Sequence, residues 1–412
     1  MTWWQGDGMN NPIIRFKSLN GVTFPDWKEF SFQEIFEFKS SAPLSRSQLN
    51  YLNGEVKNIH YGDILLKLPP VISTDSELLP YINQDCIPDK YEALEKGDII
   101  FADTAEDYSL GKAIEIISTP LRVTSGLHTI ACKAKLEFAS GFLAYCLNSN
   151  YYQDQINRLA TGTKVYSIIK SNIIKTKLRA PSSYEEQQKI SSFFSALDQK
   201  IELNEQKLEA LEELKKGLMQ KIFNRKIRFK KDDGTDFPDT VSCTLRDISE
   251  YSKCIVEKKN SLFIGNEQLI SNFGGTTLNF RKVAKGNAFN SGDILFGNIR
   301  PYLKKVWLSN ESGVASPDVL IFKATNAIPG YLKCILSSER FFNHVAQGYK
   351  GSKMPRGDKQ QIMNFSIQCP CLEEQQKIAD FLSALDLKID IKRKTVAAMR
   401  DLKRGFMQQM FV

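Results

Sequence analysis

A cationic segment in the second half of the chain has the residue types that contact nucleic acid. Its candidate contact residues are Asn298, Arg300, Tyr302, Lys304 and Lys305. Gly297 and Pro301 in the same segment predict a loop, where such side chains are exposed. The planar arginine fork can pair with the acceptors on a guanine edge, whereas lysine acts as a point charge toward phosphate. The segment is therefore a candidate DNA-contacting loop, and an ordinary solvated loop is the alternative.

Further candidate contacts lie in a loop that occurs in both halves. In the second half, GYKGSKMPR (residues 348–356) supplies Lys350, Ser352, Lys353 and Arg356. The corresponding loop of the first half supplies Thr163, Lys164 and Tyr166. Weaker candidates in the first half are Thr104, Ser109, Lys112, Arg122 and Ser125. Because glycine permits close approach of the backbone, these loops are suited to phosphate, which positions a protein on DNA without reading its sequence.

Two segments match the loose PD…ExK pattern of metal-dependent nucleases. Pro25-Asp26 precedes EFK at residues 37–39, and Pro238-Asp239 precedes EKK at residues 257–259. Carboxylates and a lysine can hold Mg²⁺ and orient a water molecule. The pattern is short, however, and its spacing differs between the copies, with 10 and 17 intervening residues. We therefore interpret both segments as chance matches.

Other catalytic and metal-binding patterns are missing from the sequence. It contains no phosphate-binding GxxxxGK[ST] loop, and LPPV (residues 68–71) lacks the flanking residues of an amino-methyltransferase motif. The eight cysteines form no Cys-x-x-Cys pair, and only three histidines are present. We therefore predict reduced thiols, no metal site and no catalytic residue in this chain.

Length and charge limit the class of protein further. At 412 residues the chain exceeds the size of most single domains, and its 42% hydrophobic content is sufficient for packed cores. The formal net charge is 55 − 47 = +8, which permits a polyanionic partner without requiring one. No run of 18 apolar residues occurs, so we expect a cytoplasmic protein.

An internal duplication specifies the elements that must position these residues. EEQQKI occurs at residues 185–190 and again at 373–378, and the match continues to 223 and 411 with 20 of 39 positions identical. Both copies lack proline and repeat apolar residues every seven positions, which predicts a long helix with a coiled-coil partner. The predicted pairing residues are Ile190, Phe194, Leu197, Ile201, Leu208, Ile378, Leu382, Leu385, Ile389 and Val396. Two unrelated amphipathic helices, each packed on its own domain, are the alternative.

The duplication extends beyond the helices and indicates the domain organisation. GFLAYCLNSNYY (141–152) matches GYLKCILSSERF (330–341), and RFKSLNGVTFPD (15–26) matches RFKKDDGTDFPD (228–239), whereas the intervening sequences diverge. Short alternating segments with Gly-Asp, Asn-Gly and proline turns predict α+β domains. The predicted divisions are an arm (1–16), a first variable domain (17–181), a central helix (182–226), a linker (227–239), a second variable domain (240–370) and a C-terminal helix (371–412).

This plan resembles the specificity (S) subunit of Type I restriction-modification systems. The resemblance rests on a domain that closes on a proline before EEQQKI and a long helix, twice, and on GDILFGNIRPYLKKV (292–306) and GDIIFADTAEDYSLGKA (97–113). It covers residues 13 to 412. It implies two α/β target-recognition domains separated by conserved helices that pack as an antiparallel coiled coil with pseudo-twofold symmetry.

The resemblance also implies a function and partners. Each target-recognition domain would read one half of an asymmetric, bipartite double-stranded DNA site, and the helices would set the spacing between the halves. Two modification subunits, which methylate adenine with S-adenosylmethionine, would dock on this chain, and restriction subunits that use ATP and Mg²⁺ would join through the complex. No cofactor is expected on this chain itself. A scaffold protein that organises partners through its helices, without reading DNA, is the alternative.

Overall fold

The computed structural model describes residues 4–5, 11–351 and 353–411. The chain forms two compact units, of which unit 1 comprises Met1–Glu205 with Thr395–Val412 and unit 2 comprises Gln206–Lys394. Each unit therefore contains one variable domain and a part of both long helices. The boundary between the units lies within the helices and not at their ends.

Unit 1 contains fifteen strands among its described residues. They are β1 (Trp4–Gln5), β2 (Ile14–Arg15), β3 (Trp27–Ser31), β4 (Phe36–Phe38), β5 (Leu49–Asn50), β6 (Val56–Ile59), β7 (Val71–Ser73), β8 (Tyr81–Ile82), β9 (Ile99–Ala102), β10 (Thr104–Ala105), β11 (Ala113–Ser118), β12 (Arg122–Ser125), β13 (Thr129–Ala134), β14 (Tyr166–Ser167) and β15 (Lys177–Pro181). Its short helices are α1 (Phe32–Ile35), α2 (Tyr61–Leu66), α3 (Phe142–Leu147), α4 (Asn150–Leu159) and α5 (Lys170–Ile173). The main sheets have the orders β4-β13-β9-β11-β7 and β12-β6-β8-β5, and three strand pairs complete the unit.

Unit 2 contains fewer and longer strands. They are β16 (Val241–Thr244), β17 (Ser249–Tyr251), β18 (Ile255–Ile264), β19 (Phe280–Phe289), β20 (Ile294–Gly297), β21 (Val306–Leu308), β22 (Gly313–Ala315), β23 (Val319–Ala324) and β24 (Ser366–Cys369). The long helices are α6 (Tyr184–Phe223) and α11 (Leu372–Met410), and the short helices of unit 2 are α7 (Leu245–Ile248), α8 (Pro329–Leu336), α9 (Glu339–Ala346) and α10 (Lys359–Met363). One sheet has the order β17-β23-β20-β21, and β18, β19 and β22 form a small closed barrel. Both units thus mix strands and helices, as the sequence predicts.

Equivalent buried strands lie at the centre of each unit. β9 and β20 are buried at all four positions, which explains their continuous apolar sequences. A Gly-Asp turn precedes each strand, with left-handed glycines at Gly97 and Gly292. The aspartate that follows accepts a backbone hydrogen bond from the residue three positions earlier, at 2.7 Å for Asp98 and 2.8 Å for Asp293. The repeated GDI(I/L)F sequence is therefore a structural turn and strand start.

The predicted long helices are present, and they pair antiparallel within each unit. In unit 1, Lys403 of α11 lies 2.5 Å from Asp198 of α6, and Arg400 lies 2.7 Å from Glu205. As the residue number rises along α6 it falls along α11. The same order holds in unit 2, where Arg393 contacts Glu212 at 2.6 Å and Asp386 contacts Lys215.

The predicted pairing residues are divided between two environments. Ile190 and Phe194 belong to the core of unit 1, together with Met410 at the end of α11 and Phe411, which follows it. Ile378, Leu382 and Leu385 belong to the core of unit 2, together with Met219 and Ile222 from the end of α6. Ile201, Ile389 and Val396 are buried, and Leu197 and Leu208 are half-buried. Each helix therefore packs on its own domain at its start and on the other long helix along its length. The apolar residues thus serve both the coiled-coil pairing and the alternative, in which each helix packs on its own domain.

The EEQQKI repeat joins each helix start to its domain. Glu186 is fully buried and accepts hydrogen bonds from Arg15 Nε at 2.9 Å and Nη2 at 2.7 Å. Glu374, at the same place in the second copy, accepts from Arg228 Nη2 at 2.9 Å and Nε at 3.3 Å. Both arginines open an RFK sequence. We call these pairs the first and second helix clamps.

The glutamine and lysine of the repeat have equally defined partners. Gln187 donates to the carbonyl of Pro181 at 2.9 Å, and Gln375 donates to the carbonyl of Pro370 at 2.9 Å. The ammonium group of the repeat lysine donates to the carbonyl of the RFK lysine in each copy, at 2.6 Å in the first and 2.7 Å in the second. The duplicated hexamer is thus preserved because each of these polar side chains satisfies a backbone or buried charged group.

Candidate nucleic-acid interface

The two predicted loops of the second half lie side by side in unit 2. Ile299 and Arg356 form an antiparallel bridge, and Arg300 donates its backbone N–H to the carbonyl of Pro355 at 2.9 Å. Lys350 and Arg356 exchange two backbone hydrogen bonds of 2.9 Å, which close the 351–355 turn. The segment that follows β20 and the GYKGSKMPR loop therefore form one surface, which we call the unit 2 loop pair.

Two cations of the unit 2 loop pair point away from the protein. Arg300 and Lys353 are exposed, and within residues 11–351 and 353–411 neither side chain forms an ion pair or a hydrogen bond. Arg300 has a left-handed backbone with φ +50° and precedes the buried Pro301. Tyr302 is 52% exposed beside it. These side chains are accessible to a DNA duplex.

The other predicted cations of the loop pair have partners in the protein. Lys304 pairs with Glu339, Lys305 donates to the carbonyl of Asn266 at 2.6 Å, Lys350 pairs with Asp358, and Arg356 contacts Asp318 at 2.9 Å. Asn298 is buried, and its amide both donates to the carbonyl of Gly357 and accepts from the Gly357 N–H. These residues shape the loop pair. Ser352 lies outside the described residues.

Unit 1 brings its corresponding loops together in the same manner. β10 pairs with β14, so that Thr104 is opposite Ser167, and Thr161 bridges to Ser167 as well. Thr163 and Lys164 are exposed at the tip of this loop, and Tyr166 is half-buried. We call this surface the unit 1 loop pair.

The remaining candidates of the first half are not gathered there. Lys112 donates to the carbonyl of Leu65 at 3.2 Å, and burial lowers the pKa of its ammonium group. Ser125 is buried, with its hydroxyl 2.5 Å from that of Thr129. Ser109 donates to Asp107 within a turn, and Arg122 is exposed on β12, in the four-stranded sheet. Lys112 and Ser125 therefore serve the fold, because their polar atoms face the protein interior.

Sequence reasoning did not place His128 among the candidate contact residues. It is half-exposed, has φ +53°, and lies 3.4 Å from Asp103 and 3.3 Å from the Thr104 hydroxyl, at the unit 1 loop pair. Its ring also packs edge-on against Tyr61 at 5.2 Å. The GLHT sequence alone did not reveal this, because the two loops are distant in sequence.

A second feature that sequence reasoning missed is the long hairpin of β18 and β19. Its exposed cations are Lys258, Lys259, Arg281, Lys282 and Lys285. Lys258 and Lys259 belong to the EKK of the second nuclease-like match and lie in a ladder with β19. The signal that could have found it is two Lys/Arg-rich strand sequences in one domain.

The nuclease-like residues have other partners. Asp26 accepts from Asn11 at 2.9 Å, and the buried Lys39 pairs with Asp98 at 2.8 Å. Asp239 contacts Arg225 and Arg228. Among the described residues, no group of three or more His, Cys, Asp or Glu side chains could hold a metal ion. All eight cysteines are free thiols.

No helix in the described part of the chain is both long enough and apolar enough to cross a membrane.

Comparisons with known proteins agree with this architecture. The family model for the Type I restriction modification DNA specificity domain matches residues 25–213 and again 224–398. The Type I restriction enzyme MjaVIII specificity subunit of Methanocaldococcus jannaschii is 23% identical, with 95% of this chain and 94% of the relative covered. The putative type I restriction enzyme MjaX specificity subunit of the same organism is 24% identical over 76% of each chain.

Two solved structures share the fold. The S subunit of a Type I restriction-modification system from M. genitalium superposes with a TM-score of 0.58 at 15% identity, covering 98% of this chain and 99% of that one. A chain from work on complex assembly and conformational transition of the type I R-M system has a TM-score of 0.55 at 14% identity, covering 95% and 99%. The chain therefore belongs to the family of Type I restriction-modification specificity subunits, the DNA-recognition subunits of these systems, and carries two copies of their DNA specificity domain.

Proposed function

We propose that each unit reads one half of a bipartite, asymmetric double-stranded DNA site through its own loop pair. The observation that carries this proposal is the same juxtaposition of two loops in both units, with different exposed side chains. A shared loop frame suits contacts to phosphate, which every DNA site presents, whereas divergent side chains suit base edges, which differ between half-sites.

Within unit 2, we assign base reading to Arg300 and phosphate binding to Lys353. Arg300 is exposed and unpaired among the described residues, and its fork matches two acceptors on one base. Lys353 follows Gly351, and Lys164 follows Gly162 at the equivalent place in unit 1, so their role is common to both units. Asn298, Lys304, Lys305 and Arg356 hold the loop pair in position.

The long helices set the distance between the two half-sites and provide the docking surface for two modification subunits. Restriction subunits would then join through the complex. S-adenosylmethionine, ATP and Mg²⁺ belong to those partners, and the complex works in the cytoplasm. The family membership and the solved chain from the complex-assembly work support this assignment. The predicted division into target-recognition domains at 17–181 and 240–370, with the helices between and after them, is part of the proposal.

The test compares Arg300→Ala with Lys353→Ala. Methylome sequencing of a host that expresses this chain with its modification partner first defines the site. Affinity of the complex is then measured against salt, for the cognate duplex and for duplexes with single base changes. We expect Arg300→Ala to weaken cognate binding by about 1–3 kcal/mol and to relax one position of one half-site. Lys353→Ala should weaken binding to all duplexes alike and reduce the salt slope by about one counterion.

Lys164→Ala is the matched variant in unit 1, and it should reproduce the Lys353→Ala result. Sequence preference that changes with Lys353→Ala and not with Arg300→Ala would reverse the two roles. Binding that is unchanged in all three variants would show that the loop pairs face away from DNA. A chain that organises partners without any sequence-selective binding would be a scaffold.

A further inference from the structure

The ion pairs between α6 and α11 form two sets, which differ in whether the duplicated positions carry the same charge. A shift of 188 residues takes Asp198 to Asp386 and Lys215 to Lys403. The pairs Asp198–Lys403 in unit 1 and Lys215–Asp386 in unit 2 are therefore the same interaction, formed twice with the same residue types. Each helix carries one acidic and one basic member of this set.

In a second set of ion pairs, one helix carries both acidic residues and the other helix carries both basic residues. The same shift takes Glu205 to Arg393 and Glu212 to Arg400, so the charge is reversed between the copies. In unit 1, Glu205 contacts Arg400 Nη2 at 2.7 Å. In unit 2, Glu212 contacts Arg393 through Nη2 at 2.6 Å and Nε at 3.0 Å. Here α6 supplies both acids and α11 supplies both bases.

This separation matters for the partner that each helix accepts. If α6 paired in the same register with α6 of a second copy, Glu205 would face Glu212, and two α11 helices would place Arg393 against Arg400. The Asp–Lys pairs would form in either case, because each helix carries both members. The predicted pairing residues likewise permit all three combinations, since each of their positions is apolar in both copies.

We propose that Glu205, Glu212, Arg393 and Arg400 select the helix partner, so that α6 pairs with α11 and rejects a like helix from a second copy of the chain. Charges beside an apolar seam choose partners chiefly by repulsion in the wrong pairing. One exposed ion pair contributes little. Changing two facing attractions into two repulsions nevertheless changes pairing preference by about tenfold or more. No DNA contact is involved, so this inference stands apart from the proposed function.

The test uses the complete chain, cut after folding. A protease site is inserted at the exposed turn after Gly234, and cleavage then leaves the N-terminal and C-terminal parts associated through their helices. Two cleaved preparations, which carry different tags on the N-terminal part, are then mixed in urea. The urea concentration is chosen so that the C-terminal parts exchange completely between the two preparations. The measurement is the fraction of N-terminal parts that co-purify with the other tag.

The informative variant is Glu212→Arg, which makes α6 self-complementary. In a pair of like helices, Glu205 of each copy would face the new arginine of the other, while in the native pairing this arginine would face Arg393. We expect mixed N-terminal parts to be barely detectable in the wild type and to increase about tenfold or more in Glu212→Arg. Glu212→Gln is the control, since it removes the native attraction without creating complementarity, and it should give little mixing.

A second variant separates partner choice from misfolding. Adding Arg393→Glu to Glu212→Arg restores the native ion pair, and it should recover the melting temperature and lower the mixed fraction relative to Glu212→Arg alone. Equal mixing in Glu212→Arg and Glu212→Gln would overturn the proposal, and so would wild-type N-terminal parts that mix as readily as those of Glu212→Arg.

Discussion

The two units keep the same clamp at each helix start but surround it differently. Arg15 is 4% exposed, and Trp27 Nε1 and Asn11 add hydrogen bonds to the first clamp. Arg228 is 27% exposed, and Thr240 stands where unit 1 has Trp27 in the sequence match. The same arginine–glutamate pair is therefore buried in unit 1 and partly exposed to solvent in unit 2. The duplicated residues form the same contact in both units, whereas their neighbours determine how far that contact is exposed to solvent.

A second comparison concerns the aspartate of each long helix that pairs with a lysine of the other long helix, Asp198 in α6 and Asp386 in α11. In unit 1, Asp198 faces one cation among the described residues, Lys403, and accepts from the Tyr145 hydroxyl at 3.1 Å. In unit 2, Asp386 faces two cations, Lys215 and Lys333. Burial by itself raises the pKa of Asp386, but the two lysines outweigh burial and hold it below its usual value. Burial likewise opposes the charge of Lys333, and the Asp386 carboxylate outweighs it and raises its pKa.

The largest difference between the units should come from breaking the clamps. Arg15→Ala leaves the fully buried Glu186 without its cation, and removal of one partner from a buried ion pair costs about 3–5 kcal/mol. Arg228→Ala should cost less, because the clamp it breaks is partly exposed to solvent and water can replace part of the interaction. The measurement is chemical denaturation of the full chain. Equal losses for the two variants would show that the surroundings of the clamp do not matter.

Substitution of Asp386 and Asp198 should give the next largest difference between the units. Asp386→Asn leaves Lys215 and Lys333 facing each other, with their side chains only 11% and 17% exposed. We expect a loss of about 2–4 kcal/mol, between the cost of a broken buried pair and that of a lost charged hydrogen bond. Asp198→Asn leaves a single cation among the described residues, Lys403, which is 24% exposed, and should cost less. A smaller loss in Asp386→Asn than in Asp198→Asn would contradict the role of the second lysine.

The smallest expected effect is a pH dependence that arises in unit 1. Burial raises the pKa of Glu115 to about 7, although its carboxyl group accepts backbone hydrogen bonds at the start of α3, from Gly141 at 2.6 Å and Ala144 at 3.2 Å. Between pH 4.5 and about 7 the native state retains a proton that the unfolded chain has lost. Stability should therefore fall as the pH rises through this interval, by at most about 3 kcal/mol. Glu115→Gln should flatten this slope in melting experiments between pH 5 and 7.

Asp358 in unit 2 has a pKa shifted in the opposite direction and serves as the control. The hydrogen bond from Lys350, assisted by backbone N–H groups of Gln361 and Gln360, lowers the pKa of Asp358 to about 2. Its contribution is present above the unfolded value of 3.8 and is lost only as the pH falls toward 2. Asp358→Asn should therefore leave the slope between pH 5 and 7 unchanged. If Glu115→Gln also leaves that slope unchanged, Glu115 titrates outside this interval.

Much of the architecture could be predicted because it depends on local sequence patterns. The seven-residue spacing and the absence of proline predicted both long helices. They span Tyr184–Phe223 and Leu372–Met410, within the segments 182–226 and 371–412 that the sequence assigns to them. The Gly-Asp turns likewise indicated strands, but the sequence predicted alternating strands, whereas β9 and β20 are buried at every position. The individual site residues were less predictable. Asn298, Ser125 and Lys112 have polar side chains that could contact DNA, but the fold turns them toward Gly357, Thr129 and the carbonyl of Leu65.

The sequence by itself determined the duplication, the two long helices and the family plan, because helix periodicity and repeated segments are properties of neighbouring residues. Only the tertiary structure decided which cations remain accessible, since Lys304, Lys350 and Arg356 find acidic partners 8 to 38 positions away. It also decided that Arg15 and Glu186, 171 positions apart, meet in a buried clamp. Such contacts depend on which surfaces pack together, and no local spacing in the chain specifies that.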